Sequence, residues 1–231
     1  MRPIERGKLP QENGVPLEFN TYQKFRGFLT RRLGSYCSYC ERYLAGNIAV
    51  EHIKPKSLYR DKELSWENFL LACGNCNSIK GSKDVKLEDY FWPDIHNTFM
   101  IFDYKEGGII SPSKNLTTED LFIVQRTIKL TGLDRKPSAN LRENPDQPDT
   151  RWLERKTVWQ TASRSLSYLL ANNSVELRNQ IVETAIARGF FSVWMTVFKD
   201  DRDMLKRFLA AFPGTSESCF ESDCISINRN K

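Results

Sequence analysis

Cys37-Ser-Tyr-Cys40, Val50-Glu51-His52-Ile53-Lys54-Pro55, Trp66-Glu67-Asn68, Cys73-Gly-Asn-Cys76-Asn77 and Lys80-Gly81-Ser82-Lys83 follow one another between Cys37 and Lys83. Two Cys-x-x-Cys pairs bracket an acidic residue, a histidine and an asparagine. Zinc prefers four tetrahedral ligands, and thiolates suit a closed structural site. Each Cys-x-x-Cys turn lets two sulfurs reach one ion. The second pair lies about thirty residues beyond the first, a longer gap than in a zinc ribbon, so the segment between must fold into something of its own. The alternatives are two disulfides or four unrelated buried thiols. The polar start Met1-Arg-Pro-Ile-Glu-Arg-Gly-Lys has no apolar run after it, so it does not read as a secretory leader. That places the cysteines in a reducing compartment, the cytoplasm, and favours thiolate zinc over disulfides.

Within the bracket, Asn47-Ile-Ala-Val-Glu51-His52-Ile53 alternates as a short strand does. Lys54-Pro55-Lys56-Ser57 ends it, because proline lacks a ladder donor. Trp66 to Ala72 reads as a turn leading into a returning strand, and Cys76-Asn77-Ser78-Ile79-Lys80 as the opening of a helix. Strand, loop, strand and helix in one metal-clamped unit would bring Glu51, His52, Asn68 and Asn77 to one small face.

These residues resemble the HNH endonuclease family, with its ββα-metal fold. The likeness covers Cys37 to Lys83 and rests on Glu-His, the proline after it, the asparagine that follows, Cys-x-x-Cys-Asn and Lys-Gly in that order. The resemblance implies that His52 is the general base, that Glu51 is a metal ligand, that Asn68 orients the base and that Asn77 is the second metal ligand. The chain is then an H-N-N variant with glutamate before the histidine.

The chemistry fits these residue types. Phosphodiester hydrolysis needs a deprotonated water, and a histidine neutral near pH 7 accepts that proton. Charge on the phosphate must also be neutralised, and oxygen ligands such as Glu51 and Asn77 suit hard Mg2+ or Mn2+. The base is held in its productive tautomer through its other ring nitrogen, by Asn68 or by a nearby backbone carbonyl. Lys54, Lys56, Lys80 and Lys83 place positive charge beside the site, where lysines add affinity for nucleic acid without reading its sequence. His96, in Asp89-Tyr-Phe-Trp-Pro-Asp-Ile-His96, is the other histidine and a further candidate site residue.

The rest of the chain frames this core. Its 231 residues, 40% of them hydrophobic, suffice for a sizeable core, and the net charge of +5 is compatible with a nucleic-acid partner. No run approaches the eighteen apolar residues of a membrane span. Residues 1–16 hold three prolines and read as an extended arm. Leu17 to Leu33 is helical by its stripe of Tyr22, Phe25, Phe28, Leu29 and Leu33, stopped by Gly34. Residues 99–116 read as two short strands around Gly107-Gly108. Thr117 caps a helix that Gly132 stops, 134–150 is a Pro-rich loop or linker, and four helical patterns follow: Trp152–Leu170, Leu177–Arg188, Phe190–Phe198 and Met204–Phe212. Cys219 and Cys224 read as unpaired thiols in a polar tail.

The fold class expected is α+β: a zinc-stapled ββα-metal core with an N-terminal helix and a mainly helical C-terminal region. The division is an arm and helix over 1–34, the nuclease core with its following strands over 35–116, and a helical, partner-docking region over 117–231. The Met-Arg-Pro-Ile start, Tyr36-Cys-x-x-Cys-Glu41, Val50-Glu-His-Ile-x-Pro-Lys and the closing Phe212-Pro-Gly-Thr are similar to one HNH subgroup, the nucleases encoded beside an ATPase in Septu-type and retron-linked antiphage defence. That resemblance implies a partner ATPase and cleavage of nucleic acid in the bacterial cytoplasm. A non-catalytic zinc module and a nuclease directed at RNA, such as tRNA, are the competing readings; a pure zinc ribbon has no use for a general base.

Overall fold

The computed structural model describes residues 1–136 and 149–221. Most of the Pro-rich 134–150 stretch and Cys224 lie outside the described residues. The fold is α+β. A small hairpin of β1 (Gln11–Glu12) and β2 (Val15–Pro16) precedes a 3-10 turn (Tyr22–Phe25) and α1 (Arg26–Leu33). The central unit is β3 (Ala49–His52), β4 (Phe69–Ala72) and α2 (Gly74–Lys80). A turn of helix α3 (Thr98–Ile101) leads into the hairpin β5 (Phe102–Lys105) and β6 (Ile109–Pro112). Helices α4 (Thr118–Thr131), α5 (Arg151–Ala171), α6 (Val175–Arg188), α7 (Phe191–Val197) and α8 (Arg202–Ala211) complete it.

Local chemistry explains most boundaries. The first helix starts later than its apolar stripe suggests, because Leu17 is still part of the hairpin: its N–H donates to the Pro10 carbonyl at 2.9 Å. β3 and β4 pair antiparallel, with Glu51 opposite Leu70 and His52 opposite Phe69. All four residues of β4 are buried, which is why it reads as a continuous apolar run rather than an alternation. The Cys73 sulfur accepts the Cys76 N–H at 3.4 Å and so caps α2. Thr117 Oγ1 accepts the Asp120 N–H at 3.1 Å at the start of α4, with Glu119 and Asp120 in the first turn, where the helix dipole favours acids. The β5–β6 turn lies so close to α5 that a Cβ on Gly108 would come within 2.7 Å of the Trp152 carbonyl; only glycine fits there.

The central unit is embedded in the rest of the chain. Buried apolar residues form one cluster from Met1 to Phe220. Residues 1–4 are buried, so the start of the expected arm packs on its own chain. Arg2 donates to the Leu33 carbonyl at 2.6 Å and the Pro213 carbonyl at 2.8 Å, tying the end of α1 to the turn after α8. Glu41, next to Cys40, accepts the Ser192 N–H at 2.7 Å and the Ser192 hydroxyl at 2.6 Å. The first cysteine pair is thereby fastened to the start of α7.

Candidate functional site

Two turns bring the cysteines together. The first precedes β3; the second joins β4 to α2, and the β3–β4 pairing closes the distance between them. The Sγ atoms of Cys37, Cys40, Cys73 and Cys76 all lie within 4.8 Å of one another, and all four residues are buried. Cys40 and Cys73 sulfurs are 3.7 Å apart. Four sulfurs about 2.3 Å from one zinc ion stand about 3.8 Å apart at the corners of a tetrahedron, so the donor set fits that ion. None of the four forms a disulfide. Burial pushes the Cys40 and Cys76 thiols up, whereas hydrogen bonds from Cys37 and Cys40 pull Cys73 down. Four thiolates share such a pocket only around a cation.

His52 is the last residue of β3. Its ring stands edge-on to Tyr22 and Phe69, with centroids 4.6 and 5.2 Å away. Nε2 lies 3.0 Å from the Glu63 carbonyl. A carbonyl only accepts, so Nε2 carries the proton and the lone pair sits on Nδ1. Burial pushes the imidazole below its ordinary value, with the Glu63 carbonyl pulling it partly back. The ring is therefore neutral near pH 7, the state a proton acceptor requires.

Of the two holders the sequence leaves open, the backbone carbonyl is the one found. Asn68 acts at one remove. Its Oδ1 accepts the Lys54 N–H at 2.7 Å, and its Nδ2 donates to the carbonyls of Lys54 at 2.9 Å and Lys62 at 3.1 Å. It ties the start of the loop at Lys54 to Lys62, the residue before Glu63, and so sets where that carbonyl meets His52.

Glu51 and His52 meet different neighbours. Neighbouring residues in a strand point to opposite sides. Here His52 meets Tyr22, and Glu51 meets α2. Lys80 joins the two sides: its Nζ is 2.8 Å from Glu51 Oε1 and donates to the His52 carbonyl at 2.7 Å. Lys80 is 1% exposed, so the expectation that it contacts phosphate is corrected. Its long stem crosses the β3–α2 interface and its charge is spent on Glu51. Burial pushes the Glu51 carboxyl up, and Lys80 pulls it partly back. Glu51 Oε1 is thus a buried carboxylate oxygen held against the Lys80 ammonium. Asn77, half-buried on α2, lies one turn before Lys80 on the same helix face. A carboxylate oxygen and an amide oxygen fit a hard divalent ion in kind. Lys80→Met would leave Glu51 buried without its partner; removing one member of a buried pair costs about 3–5 kcal/mol. Urea denaturation should show that loss, and a change under about 1 kcal/mol would mean the pair is solvated.

Residues 37–83 match the HNH endonuclease family model. The four-cysteine cluster fits that family, and the match supports a nuclease acting on nucleic acid. A search of curated proteins finds no match to the chain.

The remaining predicted residues fall in two groups. Lys54, Lys56 and Lys83 lie within the HNH segment; Lys54 is half-buried, and Lys56 is exposed with its ammonium 3.4 Å from Glu63 Oε1. Lys54 and Lys56 lie over the rings of Tyr59 and Tyr22, at 4.7 and 4.5 Å, and Lys83 is exposed, its ammonium donating to the Ile79 carbonyl at 2.7 Å. His96 serves its own turn instead. Its Nδ1 accepts the Trp92 N–H at 3.0 Å and its ring stands edge-on to Phe91, so that nitrogen is taken up by the turn. Sequence reasoning missed Tyr22 as the wall of His52, Glu63 as its holder, and Arg151, which reaches the cysteines from α5. Tyr22 was visible only as one member of an apolar stripe, and a backbone carbonyl leaves no signal in a sequence.

Proposed function

We propose that this chain is a metal-dependent endonuclease that hydrolyses phosphodiester bonds in DNA. The observation that carries this reading is His52, a neutral imidazole held through Nε2 by the Glu63 carbonyl, at the end of a strand in a segment that matches the HNH family. Nδ1 accepts the proton of the attacking water. Asn68 keeps the Glu63 loop in place, and Tyr22 and Phe69 limit how the ring can turn. Glu51 and Asn77 would hold Mg2+ or Mn2+, which supplies neutralising charge for the phosphate and the leaving oxygen. Lys54, Lys56 and Lys83 give the polyanion its approach. The cysteines would hold zinc as a staple with no part in the chemistry.

The likeness to nucleases of Septu-type and retron-linked systems supports a further layer: a cytoplasmic effector in antiphage defence, working with an ATPase. Among the described residues, no helix is long and apolar enough to cross a membrane.

Supercoiled plasmid and a pool of tRNA, each incubated with the chain alone and with proteins that co-purify with it, test this. With Mg2+ or Mn2+ the plasmid should become nicked and then linear, and EDTA should stop it. Cleavage of tRNA with intact plasmid would move the substrate to RNA. Both substrates left whole in every arm would leave a zinc module without catalysis.

A further inference from the structure

Four thiolates around one zinc ion leave excess negative charge in a pocket closed to water, and something must offset it. Arg151, the first residue of α5, is 2% exposed and outside the HNH segment. Its Nη1 donates to Cys76 Sγ at 2.9 Å and to the Thr131 carbonyl at 2.9 Å. Its Nη2 donates to the Gly132 carbonyl at 2.9 Å, and its Nε to Asp149 Oδ1 at 2.8 Å. The guanidinium is therefore fixed on all sides: by Asp149 behind it, by the last carbonyls of α4 beside it, and by a cysteine sulfur in front. Arg155, one turn along α5, is equally buried and is bound instead to the Gly108 and Leu133 carbonyls.

We propose that Arg151 is a positioning residue of the zinc site. Resting on the zinc reading of the four cysteines, the proposal gives its N–H···S bond two effects: it orients the Cys76 thiolate, and it lowers the charge the ion must carry alone. Hydrogen bonds to metal-ligating groups from outside the ligand set tune affinity by roughly 10- to 100-fold. The helical region thus holds the metal that staples the nuclease segment, across 75 residues of sequence. A guanidinium that only ties α4 to α5 would stabilise the fold but leave the metal unaffected.

The full chain with Arg151→Gln, Arg151→Lys and Asp149→Asn separates these roles. Zinc content is measured first, then the rate of zinc release to a coloured chelator, then the sulfur-to-cobalt charge-transfer band of the Co2+-substituted protein. Arg151→Gln should release zinc roughly 10- to 100-fold faster and move the band to lower energy, because a thiolate without its N–H donor gives up charge more easily. Arg151→Lys should recover part of the loss, keeping the charge without the planar fork. Asp149→Asn, which keeps the guanidinium but loosens its anchor, should shift both readouts less and in the same direction. Should Arg151→Gln be too unstable to purify, the Lys and Asn variants carry the same two readouts. Wild-type release rates and an unmoved band in the variants, with only the thermal midpoint lowered, would overturn the proposal. Wild-type protein without stoichiometric zinc would instead overturn the zinc reading beneath it.

Discussion

His52→Ala should abolish cleavage while leaving a folded protein. A positioned general base contributes about 10²- to 10⁴-fold to a rate, and the other histidine of the sequence, His96, has its Nδ1 taken up by the Trp92 amide. The substitution removes a ring packed on Tyr22 and Phe69 and frees the Glu63 carbonyl, which costs about 1–3 kcal/mol. The unit built around the four cysteines should tolerate that, so circular dichroism and the metal content of the protein should stay at wild-type values. The measurement is the initial rate of plasmid nicking at saturating Mg2+, with and without added imidazole. Free imidazole should restore part of the rate in His52→Ala and none in wild type, since it replaces a missing proton acceptor. Nicking that persists in His52→Ala above about a tenth of the wild-type rate would remove His52 from the base role, whatever the protein's state of fold.

What the sequence could show, and what it could not, follows from how far each signal reaches. The β3–β4–α2 unit was legible because its cues are local: a proline ending a strand, a short apolar run, and cysteines that must meet. Thr117, Gly132 and the glycine pair in the β5–β6 turn are local too, and the elements they bound appear where they mark them. Lys80 was misread because its burial depends on α2 packing across β3, a contact between residues about thirty positions apart that no nearby pattern encodes. By composition a lysine beside a proposed nuclease site is a phosphate contact; in the fold it is the internal partner of Glu51. Glu51 and His52, side by side in β3, meet Lys80 and Tyr22 respectively, neighbours that only the packing of α2 and of the Tyr22 turn supplies. Arg151 carried no motif at all, and only the docking of α5 brings it to Cys76.

Removal of zinc should unfold the centre of the molecule rather than merely silence it. Binding of structural zinc by cysteine-rich peptides is worth about 10–16 kcal/mol near pH 7, comparable to or larger than the whole stability of an ordinary domain at about 5–15 kcal/mol. The β3–β4 hairpin has four residues per strand, and a two-stranded hairpin of that length is marginal in water by itself. The two cysteine pairs, brought together at its open end where Ala49 faces Ala72, give it what length does not. They also carry Glu41, whose carboxylate holds Ser192 at the start of α7, and Cys76, bonded to Arg151 of α5. Loss of the ion should therefore spread from the hairpin to both helical contacts. Treatment with a strong zinc chelator under reducing conditions should lower the thermal midpoint by tens of degrees, or eliminate the cooperative transition, and the Trp194 environment should change with it. Restoring equimolar Zn2+ should recover the transition, whereas Mg2+ should not, because thiolates select the softer ion. Cys40→Ser should behave like the chelated protein even at saturating zinc. A chelated protein with an unchanged transition would show that the four sulfurs are ordinary core thiols, and that packing alone holds His52 and Glu51 where they stand.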